Sequence, residues 1–70
     1  MKITSALVSM TGPTVLVSAK LQIQEFTTDI QFTLLEVDLY AAANADGRAS
    51  WENVDLVTVA KTKLNLDCTL

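Results

Sequence analysis

From Glu52 to Leu70 the chain alternates. Val54, Leu56, Thr58, Ala60, Thr62, Leu64, Leu66, Cys68 and Leu70 hold the even positions, while Asn53, Asp55, Lys61, Lys63, Asn65, Asp67 and Thr69 hold odd ones. A period of two over that length predicts a β-strand with one uncharged and one charged face, whereas a period of 3.6 would scatter the lysines and leucines around a helix. Val57 and Val59 interrupt the charged side. The middle of this strand therefore reads as apolar on both faces, as a central strand would be.

The same alternation recurs upstream. Val15, Val17, Ala19, Leu21 and Ile23 form one face of a second segment, with Ser18, Lys20, Gln22 and Gln24 on the other. That segment reads as a half-buried strand running to about Phe26, followed by a polar connection at Thr27-Thr28-Asp29. Before it, Met1-Lys2 and the apolar stretch to Met10 share features with a secretory leader, but Thr11-Gly12-Pro13-Thr14 breaks the apolar run and punctuates two strands instead. Beyond it, Ile30, Phe32 and Leu34 are even and Leu35, Val37 and Leu39 are odd, so the phase flips at Leu34-Leu35. A β-bulge within a strand through Tyr40 does this. A strand that stops there, followed by a helix to Ala45 capped at Gly47, is the alternative.

Four β segments result, over about 2 to 10, 14 to 26, 29 to 40 and 50 to 69, with room for one helical turn near 41 to 46. Short connections predict an all-β fold, a small antiparallel meander or sandwich of about four long strands in a single domain over 1 to 70. One dimension conflicts with this. An unbroken strand from Glu52 to Leu70 would be on the order of 60 Å long, while a domain of this length has a radius of gyration near ~11 Å. Either the strand bends near Ala60 to Lys63, or residues 64 to 70 extend from the domain and pair with a neighbouring subunit.

Composition sharpens that choice. Seventy residues give a small core, half of them are apolar, only 19% are charged, and there is one cysteine and no histidine. Neither an internal disulfide nor the usual zinc constellations can supplement such a core, which leaves burial against a partner. A net charge of −3 with five scattered basic residues argues against nucleic acid, which requires clustered Lys and Arg. No run of apolar residues is long enough for a bilayer-spanning helix.

Candidate chemistry is sparse. Placing Gly47 sixth in a calcium loop puts Asn44, Asp46 and Ser50 at ligand positions, but Ala42 and Asn53 then occupy the ends where the carboxylates belong. Glu36 and Asp38 could pair as acid and base, although carboxylates on a wet strand face are ordinarily solvated. Cys68 lies in an apolar alternation with no base evident beside it. No catalytic residue, metal ligand or cofactor site is assigned. The assigned residues are those of an interface: Trp51 at the start of the long strand as an aromatic anchor, with Leu64, Leu66, Cys68 and Leu70 as its apolar end. The expected role is a non-enzymatic structural or assembly protein, associating with itself or another protein, of the class of capsid cementing or tail accessory subunits of virions. The alternative is a small acidic inhibitor or immunity-type module.

Overall fold

A computed structural model describes residues 1–70. Three strands, β1 (Lys2–Thr11), β2 (Thr14–Ile23) and β3 (Phe26–Leu35), form an antiparallel meander in the order β1-β2-β3, followed by two helices, α1 (Glu36–Ala45) and α2 (Asn53–Leu64). The fold is a sheet with helices on one face rather than an all-β assembly of four strands. The antiparallel meander expected for the first half is present; the fourth strand is not.

The β1–β2 connection is the two-residue turn Gly12-Pro13, with Thr11 paired to Thr14. Gly12 has φ +62°, and proline fixes a negative φ at the second central position. That combination is a type II′ turn, whose twist matches the strands it joins. The Thr14 hydroxyl donates to the Thr11 carbonyl at 2.8 Å. The β2–β3 turn is Gln24-Glu25, closed by the Ile23–Phe26 pair, so Thr27-Thr28-Asp29, expected as the connection, lies inside β3. Gln24 takes the left-handed φ of +55° that Asn or Gly would signal, which is why no turn signature marks the site.

The phase flip at Leu34-Leu35 is the junction of a strand with a helix. β3 stops at Leu35 and α1 begins at Glu36, where the Glu36 N–H donates to the Pro13 carbonyl at 3.0 Å and ties the helix start to the β1–β2 turn. The far end of α1 is a Schellman motif. Gly47, at φ +77°, donates to the Asn44 carbonyl at 3.0 Å, and Arg48 donates to the Ala43 carbonyl at 2.9 Å. The bulge in this sheet is elsewhere, in β1, where the register shifts between Ile3 and Ser5.

The strand expected over 50 to 69 is corrected to α2 plus a short tail. Its buried residues are Asp55, Leu56, Val57, Val59 and Ala60, a helical face in which Leu56, Val59 and Ala60 stand at i, i+3 and i+4. Two of those three are even-numbered, so the buried stripe hides inside an alternation. Length also decides the matter. The molecule measures 36 × 24 × 18 Å, too short for a strand of roughly 60 Å, whereas twelve helical residues rise about 18 Å. Lys61 and Lys63 occupy the last turn, where they complement the helix dipole. Asn65 ends the helix at φ +54°, and the tail returns to the sheet: Ile3 donates to the Thr69 carbonyl at 2.8 Å and Thr69 donates to the Met1 carbonyl at 3.2 Å, parallel to β1.

The core lies between the sheet and the helices. Val15, Val17, Ala19 and Leu21 of β2 and Phe32 and Leu34 of β3 meet Leu39 of α1 and the α2 face, with Ile3 and Cys68 closing one end.

Candidate interaction surface

The residues expected to form an interface do not share one surface. Cys68 is fully buried, and Trp51 and Leu66 are half-buried against the core of their own chain. Leu64 and Leu70 are exposed. The Thr69–Lys2 bridge is therefore an internal use of the tail, formed at the one end of β1 that it can reach.

Eight of the thirteen charged residues form ion pairs. Arg48 places Nη1 2.8 Å from Asp55 Oδ2 and Nη2 2.6 Å from Asp55 Oδ1, a bidentate contact across the α1–α2 connection. The Glu52 N–H also donates to Asp55 Oδ2 at 2.7 Å, as in a capping box. Asp55 is only 2% exposed. The Arg48 hydrogen bonds lower its pKa below the ordinary 3.8, assisted by the Glu52 N–H and opposed by burial. In the sequence this aspartate reads as one polar residue of a strand. Its signal was the spacing of Glu52 and Asp55, a reciprocal cap before an apolar run. Asp46, singled out as a calcium-loop position, turns its carboxylate to Arg48 at 3.2 Å.

Glu36 and Asp38 stand in the first turn of α1 rather than on a strand. Asp38 Oδ2 lies 2.9 Å from Lys63 Nζ, off the hydrogen-bond direction, so charge alone links α1 to the end of α2 there. No three of the carboxylates and the thiol converge in a way that could hold a metal ion. No helix is long and apolar enough to cross a membrane.

What the fold does expose is the far side of the sheet. The strand register sets its rows: Thr11, Thr14 and Leu35; Ser9, Leu16 and Thr33; Leu7, Ser18 and Gln31; Ser5, Lys20 and Asp29. Helices cover the other face, so this one meets solvent. Leu7, Leu16 and Leu35 run diagonally across it, in consecutive rows on consecutive strands. Diagonal neighbours are about 7 to 8 Å apart, within reach of long side chains. All three are exposed, Leu7 to 74%. Around them stand hydroxyl and amide side chains and one ion pair, Lys20 to Asp29 at 3.4 Å. A shallow depression of about 530 Å³ crosses the strands at the Leu7 and Ser5 rows.

The sheet edges differ in how they are protected. β1 carries its bulge, Lys2, and the bridge from Thr69. β3 has no lysine, proline or glycine over its ten residues and no register shift against β2. None of the backbone hydrogen bonds made outside the helices and strands involves β3. Such an edge is a template for another strand. Comparison with family models, with curated proteins and with solved structures gives no match.

Proposed function

We propose that this chain is a non-enzymatic structural protein that assembles with copies of itself, of the kind used as a capsid cementing or tail accessory subunit of a virion. The observation that carries this reading is the sheet with helices on one side only and a leucine diagonal on the other. Twelve large apolar side chains are exposed, against thirteen residues in the core cluster. A monomer rarely leaves contiguous apolar patches of more than a few hundred Å² in water, and larger ones mark interaction sites. Assembly gives the exposed leucines a cover, and a core this small gains stability from a partner.

Sedimentation equilibrium of the purified chain from about 10 µM to about 1 mM, the range in which small interfaces dissociate, tests this. The expected result is a mass that rises with concentration above that of one chain. A constant monomer mass contradicts assembly and supports the alternative role, a small acidic module that occupies a site on another protein.

A further inference from the structure

We infer that a second copy of this chain docks on the open edge of β3 by antiparallel strand pairing, about a two-fold axis at Ile30, to make one six-stranded sheet. The inference rests on the assembly reading above and concerns a second surface, the β3 edge, separate from the leucine face that this pairing leaves open.

The geometry starts at the Gln24-Glu25 turn. Ile23 and Phe26 close a two-residue hairpin, and the closing pair of such a hairpin exchanges both backbone hydrogen bonds. Bonded pairs then recur at every second residue, so the even residues of β3 bond to β2. Thr27, Asp29, Gln31 and Thr33 point their N–H and C=O groups outward. No bond within the chain occupies those groups.

A two-fold axis normal to the sheet keeps both helical layers on the same side. Only registers that pair even with even residues keep both core faces aligned, because a shift of one residue inverts every side chain. The register centred on Ile30 sets Thr27 opposite Thr33 of the second copy and Asp29 opposite its Gln31, giving about eight backbone hydrogen bonds. Two features favour this arrangement. Phe26, 76% exposed, comes opposite Leu34 of the second copy. Asp29, the only charge on β3, faces an amide rather than its own copy and is already paired with Lys20. The leucine diagonals of both copies then lie on one face of the joined sheet, which this contact leaves open.

Edge pairing of this length buries a small area, so the dimer belongs among weak interfaces, with dissociation on the order of 100 µM.

Two variants test this. Gln31→Pro removes an outward N–H that bonds to nothing within the chain, a site where a strand tolerates proline, and should weaken dimerisation at least tenfold while circular dichroism remains that of the parent. Ile30→Cys places two thiols across the axis in a non-bonded pair, whose Cα separation of about 4.5 Å suits a disulfide; the native Cys68 is buried. Mild oxidation should link Ile30→Cys into dimers but leave Thr28→Cys, offset by about 13 Å from its copy, as single chains. If the parent self-associates while Gln31→Pro associates equally well, or Thr28→Cys links as readily as Ile30→Cys, this interface is wrong and the assembly reading stands. A parent chain that stays monomeric to about 1 mM overturns both.

Discussion

Replacing Leu56 by alanine should destabilise the protein by about 3 to 4 kcal/mol, whereas Leu64→Ala should cost under about 1 kcal/mol. Both residues are leucines at even positions in the same alternating stretch. Were that stretch a strand, they would share its apolar face and respond alike. On α2 they do not: Leu56 is 1% exposed and packs with Leu39, Val59 and Ala60, while Leu64 ends the helix 41% exposed. Leu56 also shares the core cluster with Val15 and Val17 of β2 and Phe32 and Leu34 of β3, so the surroundings can collapse little and a cavity adds to the lost transfer energy. A core of this size supplies about 3 to 5 kcal/mol in all, so Leu56→Ala should be largely unfolded at physiological temperature. Urea unfolding of the two variants provides the comparison, and equal losses would remove α2 from the account.

Asp55→Ala should be nearly as damaging, at about 2 to 3 kcal/mol or roughly 10 to 20 °C in midpoint. Three contacts depend on this carboxylate: both Arg48 nitrogens and the Glu52 N–H at the start of α2. The loss falls below that of a fully buried pair because the Arg48 side chain keeps 26% exposure and can be hydrated when left alone. The pH dependence follows from the lowered pKa of Asp55. A carboxylate held below its unfolded value contributes stability that is complete above the ordinary aspartate range and is lost as pH falls through the folded-state value. The parent should therefore lose stability below about pH 4, and Asp55→Ala should show a smaller acid-induced loss. Thermal midpoints of both proteins across the acid range measure this, and identical slopes would mean that the Arg48 contact contributes nothing.

How much of this was legible depended on which physical signal each segment carried. The β2 alternation is legible because Val15, Val17 and Leu21 are buried by the layer above, but Ile23, expected on the same face, is exposed, and the strand ends at Ile23 rather than near Phe26. Gly12-Pro13 marked its turn because those two residues restrict the backbone. Gln24-Glu25 did not, since a glutamine held at positive φ leaves no trace in composition. The phase change at Leu34-Leu35 was visible, and both a bulge and a helix start explain it locally. Contact between Glu36 and the distant Pro13 carbonyl is what accompanies the helix, and no local pattern reports it. In α2 the β-branched Val54, Val57, Thr58, Val59 and Thr62 favour a strand by propensity; the Glu52–Asp55 cap, the Arg48 contact and the burial of Leu56 and Ala60 outweigh it. The dimensional conflict did appear in the sequence, and a helix resolves it more simply than a strand leaving the domain.

The proposed interface is the least legible feature. In the sequence Leu64 to Leu70 form an uncovered apolar end, yet Cys68 belongs to the core and Thr69 pairs with Lys2. Because the last third of the chain forms α2 and a tail instead of a fourth strand, the β3 edge is left open. With a fourth strand present, that edge or the β1 edge would be covered; with α2 in its place, β3 is the last strand.

Residue-resolved amide hydrogen exchange as a function of protein concentration tests the central claim most directly. In dilute solution the even amides of β3, bonded to β2, should be protected while those of Thr27, Asp29, Gln31 and Thr33 exchange freely. Those four should gain protection together as concentration rises through the association range. Protection that is absent at every concentration, or already complete at the lowest, would contradict assembly through this edge.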